Sequence, residues 1–341
     1  MLTRSRLEDL LAQFPSQNIG LLGDLFLDRY LHLVPGDHEI SIETGEEAFQ
    51  IDTVRNSPGA LGTVINNLSA LGVGKLTPIT VIGDDGHGYD LLKTLDDKPV
   101  VRDLILTAPN RLTPTYTKPM RPLRDGSWNE LNRLDVRTRL PLDSETTERV
   151  CNCLEQAFHE CGCIIVLDQV PQPGCGVVNQ QVRECLEDLI DHNPAKPVII
   201  DSRSQLHLFR RGILKGNEAE FLAATNAAST DEAAELLANK NGTYSFCTRG
   251  EHGIVIGCSS RENTFASSSP VAGEIDIVGA GDSATSGIAA TLLAGGTAEE
   301  AAAVANLVAA VTVQQLGTTG TATPSDVLDR YDETQSAASD G

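Results

Sequence analysis

The segment best suited to chemistry is a glycine-rich turn that leads into a run of small residues. It spans residues 276–287, and its centre reads Gly279-Ala280-Gly281-Asp282. The two glycines and the alanine allow the backbone to turn tightly into a helix, so that its N–H groups and positive end face an anion. The pattern predicts a phosphate cradle.

Asp282 falls in the first turn of the predicted helix, beside this cradle. A carboxylate there is a poor ligand for phosphate, but it can accept the proton of a hydroxyl that attacks the phosphate. The alternative interpretation is an N-terminal capping residue that follows a glycine turn. The segment alone leaves both interpretations open.

Two other nucleotide-binding motifs fit the sequence poorly. Gly279-x-Gly281-x-x-Ala284 matches a dinucleotide fingerprint, but that fingerprint belongs to the first βαβ unit, and here it lies in the last fifth of the chain. The segment Gly72-Val-Gly-Lys75 lacks the Ser or Thr that a Walker loop requires. A dinucleotide-dependent oxidoreductase is therefore a distant alternative.

From about residue 160 onward, short apolar runs alternate with helix-like stretches. The runs are 163–168, 197–201, 244–248 and 253–257, and the stretches include 177–191 and 231–239. Such alternation is typical of a parallel sheet with helices on both faces, and predicted strands at 18–24 and 77–83 begin the first half in the same way. Asp168 and Asp201 end two of the runs, at the sheet edge where such folds bind ligands.

Residues 33–57 break this alternation. Their polar, acidic sequence with scattered β-formers predicts an inserted hairpin or lid. We therefore expect one domain over residues 1–331 that carries this lid, followed by a flexible polar tail at 332–341.

Composition limits the classes of partner. Lys and Arg number 26 against 47 Asp and Glu, and the net charge of −21 disfavours nucleic acid and anionic membranes as partners. Any anionic ligand then needs a local cationic pocket. The sequence has no apolar stretch of membrane-spanning length and no signal-peptide core at its start, which predicts a cytoplasmic protein.

Four cysteines are clustered in sequence, at positions 151, 153, 161 and 163. A zinc site is one interpretation, but the spacing lacks the C-x-x-C arrangement of a zinc knuckle, and Cys163 opens an apolar run. The pattern favours buried free thiols.

Four motifs in the same order make the chain similar to the PfkB, or ribokinase-like, carbohydrate kinases. They are Gly23-Asp-Leu-Phe-Leu-Asp28, Pro58-Gly-Ala with Leu71-Gly72, Asn217-x-x-Glu220 and Gly279-Ala-Gly-Asp282. The resemblance spans about residues 18–329 and implies an α/β, three-layer α/β/α ribokinase-like fold with a mostly parallel central sheet and a small β lid. Residues 23–30, 132–135 and 316–318 resemble the heptose 7-phosphate kinase branch.

The resemblance implies roles at the end of the site where phosphate is transferred. Asp282 matches the catalytic base, and Gly279, Ala280 and Gly281 match the anion hole for the γ-phosphoryl group of ATP. Residues that match positions near the nucleotide or its Mg²⁺ are Asn217 and Glu220, which organise the metal through water, Thr248, Gly250 and Gly253, which form a turn, and Asn306, which lies beside the adenine.

At the acceptor end, Asp28 matches the acid that binds sugar hydroxyls and Gly59 the backbone that approaches the sugar. Thr63 stands where the family often has a sugar-binding Asn, and Val278 replaces a usual Thr, which weakens the case for a monovalent-cation site. The heptose branch also carries a Lys-Gly after the strand that ends in Asp168, where this chain has Gln-Val-Pro.

Three cations are candidates for binding a phosphate on the acceptor: Lys118, Arg133 and Arg203. Arg203 is the first choice, because it lies just past the carboxyl end of a predicted strand. A solvated surface arginine is the alternative.

Together these features predict an ATP- and Mg²⁺-dependent kinase that phosphorylates a hydroxyl of a sugar or sugar phosphate, with a heptose 7-phosphate as one candidate. A homodimer through the lid is also expected from the resemblance. The alternatives are a nucleoside or other small-alcohol kinase, and a catalytically silent sugar-binding regulator, which the intact Gly-Ala-Gly-Asp disfavours.

Overall fold

The computed structural model describes residues 2–36 and 39–339, with side chains described as far as residue 336. The strands are β1 (Asn18–Gly23), β2 (Leu25–Leu33), β3 (Glu39–Ile40), β4 (Glu47–Ala48), β5 (Ile51–Ala60), β6 (Lys75–Gly83), β7 (Ile105–Ala108), β8 (Thr115–Pro122), β9 (Trp128–Glu130), β10 (Leu134–Val136), β11 (Cys163–Asp168), β12 (Val198–Ser202), β13 (Ile213–Asn217), β14 (Tyr244–Thr248), β15 (Ile254–Cys258) and β16 (Thr264–Ala266). The α-helices are α1 (Arg4–Leu11), α2 (Leu61–Ala70), α3 (Gly86–Lys93), α4 (Ser144–Glu160), α5 (Gln180–His192), α6 (Glu218–Thr225), α7 (Thr230–Asn241), α8 (Ala280–Leu293), α9 (Ala298–Thr312) and α10 (Pro324–Ser339).

The main sheet has nine strands in the order β16-β15-β14-β13-β12-β11-β1-β6-β7. Its pairs are parallel from β7 to β14. The pairs that β15 forms with β14 and with β16 are antiparallel. The reason is the short link Arg249–Gly253, which can close a hairpin but cannot hold a crossover helix. The mostly parallel sheet predicted from the sequence is confirmed, although its run 253–257 belongs to this antiparallel edge.

Helices cover both faces of the sheet. α1, α2, α8, α9 and α10 share one hydrophobic core with the sheet, and α4 to α7 share the other. All six residues of β11 are buried, because each face of this strand packs against a helical layer. The predicted three-layer α/β/α architecture is confirmed.

A second sheet forms the lid, with the strand order β10-β8-β2-β5 and with β9 paired to β8. Residues 33–57 contribute the small hairpin β3–β4 and most of β5, but the lid also needs β2 and a second segment, 115–136. The expected lid was therefore too small. Pro119 and Pro122 lie within β8, and prolines in a run of β-formers argue against a strand.

The C-terminal boundary also differs from the prediction. α10 continues to Ser339, so regular structure extends through most of the segment expected to be a flexible tail. Residues 37 and 38 of the expected lid and residues 340 and 341 of the expected tail lie outside the described residues. None of the helices within the described residues is long and apolar enough to cross a bilayer.

The clustered cysteines are free thiols. Cys151, Cys161 and Cys163 are buried and Cys153 is half-buried, in agreement with the predicted burial. Within the described ranges, no group of three or more Cys, His, Asp or Glu side chains is arranged to hold a metal ion.

A buried ion pair lies where the chain leaves the main sheet for the lid. Asp24 links β1 to β2, and Arg111 precedes β8, so each marks one crossing into the lid. Arg111 Nη2 lies 3.5 Å from Asp24 Oδ1, which also accepts the Val177 N–H at 3.0 Å. Asp24 Oδ2 and Arg111 Nε have no hydrogen-bond partner among the described residues. Burial raises the pKa of Asp24 to about 7, although Arg111 opposes this shift.

Removing the arginine should destabilise the protein in a pH-dependent way. Arg111→Met leaves Asp24 buried without its cation, and we expect a loss of about 3 kcal/mol in the free energy of unfolding at pH 8. Because the pKa of Asp24 is raised in the folded state, the carboxyl takes up a proton on folding at lower pH, and the loss should shrink towards pH 5.5. Urea denaturation of wild type and variant at pH 8 and pH 5.5 measures the loss in the free energy of unfolding.

The control is Asp24→Asn/Arg111→Met, which removes both charges and should restore part of the stability at pH 8. A loss that is the same at both pH values, or a double variant no more stable than the single one, would contradict this account.

Candidate active site

Two cavities open along the edge of the main sheet where β12 and β13 end. The larger cavity has a volume of about 970 Å³ and extends from α9 to the start of α8. The lid cavity has a volume of about 500 Å³ and is lined largely by lid strands. The residues that line both are Gln169, Arg203, Val278, Gly279 and Asp282. The cavities therefore meet at the segment that the sequence predicted as a phosphate cradle.

The start of α8 presents backbone donors that the protein does not use internally. Gly279 precedes the helix with a φ of +83°, a left-handed conformation that glycine adopts without strain. The N–H groups of Gly281 and Asp282 make no hydrogen bond within the described residues, whereas the Ala280 N–H donates to the Ile277 carbonyl at 3.2 Å. Two free donors and the positive helix end suit an anion, whereas the Ala280 N–H, which was predicted to contribute, is already engaged within the turn.

Asp282 is half-buried in the first turn of α8, at the junction of the cavities. Burial, together with the nearby charge of Asp201, raises the pKa of Asp282 to about 7, against the opposing effect of Lys215 and Arg203. The carboxyl has no hydrogen-bond partner among the described residues. A carboxylate with such a pKa is suited to accept a proton at neutral pH.

A buried ion pair lies behind the start of α8. Lys215 on β13 and Asp201 on β12 are 3% and 5% exposed, and the Lys215 Nζ lies 2.7 Å from Asp201 Oδ2. Thr285 Oγ1 donates to the same oxygen at 3.1 Å. Burial by itself lowers the pKa of Lys215, but the charge of Asp201 and its hydrogen bond outweigh burial and raise this pKa above its usual value. Lys215 therefore keeps its charge, and its contact with Asp201 joins the ends of two strands beside Asp282.

Asn217 and Glu220 form a capping box at the start of α6. Glu220 Oε2 accepts the Asn217 N–H at 2.7 Å, and Asn217 Oδ1 accepts the Glu220 N–H at 2.9 Å. Both side chains nevertheless line the larger cavity. Their capping role and their predicted role near a metal are compatible, because Glu220 keeps one carboxylate oxygen free of hydrogen bonds.

These residues fit Mg²⁺ only as part of a wider set of ligands. Glu220 supplies one hard oxygen, and among the described residues no group of three or more Asp, Glu, His or Cys side chains forms a protein cage for a metal. Mg²⁺ usually keeps several waters and takes its other ligands from substrate phosphates. The arrangement suits a metal that arrives with a nucleotide and is held through water.

The remaining residues predicted near the nucleotide have different places in the structure. Thr248 and Gly250 line the larger cavity, but Gly253 is buried in the turn before β15 and does not line it. Asn306 also lines it, although its Nδ2 donates to the carbonyls of Ala266 and Ser267 at 3.1 and 2.9 Å. The side-chain amide of Asn306 therefore holds the end of β16, whereas the sequence prediction places this residue beside the adenine.

In the lid cavity, Asp28 is paired with Lys118. Asp28 Oδ1 lies 3.0 Å from Lys118 Nζ, which also donates to the Tyr30 hydroxyl at 3.2 Å. Gly59 allows the close approach of β5, because a Cβ at this position would lie 2.3 Å from Asp28 Oδ2. Thr63 lines the cavity, and its methyl group would lie 3.4 Å from a Cβ at position 279.

The cations proposed for an acceptor phosphate are not equivalent. Arg133 lies in the lid cavity, where its guanidinium stacks 4.3 Å from the centre of the Tyr116 ring and bonds Asp135 at 2.6 and 3.0 Å. Arg203 lines both cavities, and its positive charge works to lower the pKa of Asp282 and of Glu220. Arg203 therefore lies at the junction, and Arg133 and Lys118 lie towards the lid.

The sequence interpretation missed several residues of the site. Lys215 and Gln169 were not selected, and neither were the lid aromatics Tyr30, Tyr116 and Trp128. A lysine inside the apolar run Ile213-Leu-Lys-Gly is the signal that could have identified Lys215, because a strand buried on both faces tolerates a charge only with a partner. The aromatics lie on β2, β8 and β9, and the last two strands were not predicted.

Comparison with known proteins identifies the family of this chain. The pfkB family of carbohydrate kinases matches residues 31–325. The bifunctional protein HldE of Trichlorobacter lovleyi is 29% identical over 336 residues, which cover 95% of this chain and 65% of the relative. The HldE of Actinobacillus succinogenes is 29% identical over 321 residues, which cover 92% of this chain and 63% of the relative. The chain thus spans just under two thirds of the length of these relatives.

Solved structures show the same fold at lower identity. Phosphofructokinase-2 from Escherichia coli in complex with fructose-6-phosphate has a TM-score of 0.68 and 18% identity, and the match covers 94% of this chain and 99% of that one. Arabidopsis thaliana ribokinase complexed with ribose and ATP has a TM-score of 0.64 and 19% identity, with coverages of 92% and 98%. Since the family match extends over most of the sequence, this chain belongs to the pfkB family of carbohydrate kinases.

Proposed function

We propose that this carbohydrate kinase transfers the γ-phosphoryl group of ATP to a hydroxyl of a sugar phosphate, with a heptose 7-phosphate as the leading candidate. The observation that carries the proposal is the position of Asp282, which lines both cavities beside the free N–H groups at the start of α8. A nucleotide in the larger cavity and a sugar in the lid cavity would meet at this carboxylate.

In the proposed mechanism, Asp282 accepts the proton of the attacking hydroxyl. The N–H groups of Gly281 and Asp282 stabilise the charge that develops on the transferring phosphoryl group, and one such donor is worth roughly 3 kcal/mol of barrier. Mg²⁺, when bound with the nucleotide, neutralises phosphate charge. Asp28 and Lys118 orient the acceptor, and Arg203 faces the phosphoryl group at the junction.

An anionic acceptor in the lid cavity depends on direct contact with its cations, because acidic residues line the same cavity: the cations are Lys118, Arg133 and Arg203, and the acids are Asp28, Glu130, Asp276 and Asp282. A chain with a net charge of −21 repels anions at long range, so an acceptor phosphate needs fixed cations at short range. A phosphate remote from the reacting hydroxyl must lie away from Asp282, and Lys118 and Arg133 are the cations placed there. This arrangement replaces Arg203 as the first choice for the acceptor phosphate.

The test of the proposed function is a panel of sugars and sugar phosphates, assayed for acceptor-dependent release of ADP. We expect release with at least one sugar phosphate and little with the matched unphosphorylated sugar. Release that does not depend on any acceptor in a broad panel would contradict the proposal.

Variant kinetics should separate the roles of Arg133 and Arg203. Arg133→Met should reduce the kcat/KM advantage of a sugar phosphate over its matched sugar by roughly tenfold, because a charge-assisted hydrogen bond to phosphate is lost. Arg203→Met should lower kcat for both acceptors by a similar factor. If instead Arg203→Met removes the phosphate advantage and Arg133→Met does not, the assignment made from the sequence is correct and this one is wrong.

Replacing the base should abolish turnover and stabilise the protein. Asp282→Asn should lower kcat by about 10²-fold or more, with little change in ATP binding. Because the folded-state pKa of Asp282 is raised, its stabilising contribution is complete below the usual pKa and is lost as the pH rises through about 7. The variant should therefore gain on the order of 1 kcal/mol over wild type at pH 8, allowing for the partial exposure of the side chain, and little at pH 5.

Kinetics and thermal melts at the two pH values measure these effects. A near-normal kcat would remove Asp282 from the mechanism, and a variant that is less stable at pH 8 would contradict the burial of its charge.

Glu220→Gln should raise the Mg²⁺ concentration needed for half-maximal activity by roughly tenfold and leave the acceptor KM nearly unchanged. The amide keeps the acceptor oxygen that caps Asn217 but removes the charge near the metal. Glu218→Gln, on the same helix but outside the cavity, is the matched control. An unchanged magnesium dependence with an altered acceptor KM would show that the role is misassigned.

We also propose that the lid pairs with a second copy of the chain. β5 is an edge strand of the lid, and two apolar residues of this strand, Ile51 and Val54, are 38% and 45% exposed. Such edges are prone to pair with another chain. Val54→Glu should shift a dimer towards monomer in sedimentation velocity, and Leu140→Glu, an exposed position outside the lid, should not. A wild-type monomer at micromolar concentration would contradict the proposal.

A further inference from the structure

One buried charge in the site has no role in the mechanism given above. Lys215 is 3% exposed and yet lines the larger cavity, so the little surface that it keeps faces the space where a nucleotide would lie. Its Nζ has three N–H donors. One is directed at Asp201 Oδ2, 2.7 Å away, and no other hydrogen bond of this ammonium is present among the described residues.

The ammonium also lies directly against the anion site. A Cβ placed on Gly281 would come within 3.2 Å of Lys215 Nζ. Gly281 provides one of the two free N–H groups at the start of α8. An oxygen bound by that N–H group would therefore lie beside the ammonium as well.

The surroundings of Lys215 contain more negative than positive charge. Asp201 on β12, Asp282 on α8 and Glu220 on α6 act on the ammonium. Asp201 alone would be a sufficient counter-ion, and Thr285 already donates to its carboxylate. The two remaining N–H groups of Lys215 have no acceptor among the described residues, and the larger cavity is the space from which a ligand can reach them.

We propose that Lys215 is a catalytic residue of this kinase, which donates a charge-assisted hydrogen bond to the terminal phosphate of the nucleotide from behind the start of α8. The role rests on the proposed function, because it assigns the larger cavity to a nucleoside triphosphate. Lys215 reaches the phosphoryl group from the larger cavity, which it lines, and Asp201 fixes the direction of the ammonium. Because the pair is buried and preorganised, it stabilises transition-state charge without reorganisation.

The test separates a phosphate contact from a counter-ion role. Lys215→Met removes the ammonium but leaves Asp201 buried without a cation. Lys215→Met/Asp201→Asn removes both charges, and the asparagine Oδ1 can still accept from Thr285. If Lys215 is only the counter-ion of Asp201, the double variant should recover wild-type behaviour.

Nucleotide binding provides a measurement that does not depend on the acceptor. Isothermal titration with adenosine 5′-(β,γ-imido)triphosphate and with AMP compares a ligand that reaches the anion site with one that does not. We expect the double variant to melt near the wild-type temperature, to bind AMP within about twofold and to bind the triphosphate analogue at least about tenfold more weakly, as for a lost charge-assisted hydrogen bond. With an acceptor found in the panel, its kcat should fall by about 10²-fold or more.

Two results would overturn the inference. A double variant that binds the triphosphate analogue as tightly as wild type would show that Lys215 is only a counter-ion, and the proposed function would stand. A wild-type protein that binds the triphosphate analogue no better than AMP would overturn the proposed use of ATP and this inference with it.

Discussion

The ion pair between Lys215 and Asp201 is the interaction on which the rest of the site depends. This ion pair joins the carboxyl ends of the neighbouring strands β12 and β13. Its two charged groups lie 2.7 Å apart and are almost fully buried, directly behind the first turn of α8. The helix start can then bring Asp282 close to Asp201 and Glu220 without collecting three uncompensated negative charges. Loss of one partner from such a pair is strongly destabilising, since the other charge remains buried. The fold should therefore tolerate the loss of both charges better than the loss of one.

Burial and the closeness of other carboxylates raise the pKa of Asp282, and they also make its ionised form destabilising. A carboxyl group that is desolvated beside another carboxylate holds its proton to higher pH, and its pKa of about 7 suits a base that acts near neutrality. Asp24 has a similarly raised pKa at the crossing into the lid. In both places the fold keeps a carboxyl group where an uncharged side chain would be more stabilising, one at the proposed reaction centre and one where the lid joins the main sheet.

The sequence was most informative where one local pattern determines the structure. The buried runs at β11 and β12 and the turn at 279–282 were identified because apolar content and glycine spacing are local properties. The lid was underestimated because its second half, 115–136, contains prolines and pairs with β2, which lies far away in sequence. Asp24 and Arg111 are 87 positions apart, so no local pattern joins them. Lys215 was visible as a charge in an apolar strand, but its partner Asp201 could be chosen only once the sheet order was known.

We propose Asp282, which lies close to the carboxylates of Asp201 and Glu220, as the base of a phosphoryl transfer. The most direct measurement is the pH dependence of kcat/KM for an accepted sugar phosphate, because this ratio reports the ionisations of the free enzyme. We expect kcat/KM to be constant above neutrality and to fall with a slope of one as the pH drops below an apparent pKa near 7. A kcat/KM that stays constant down to pH 5 would contradict this proposal.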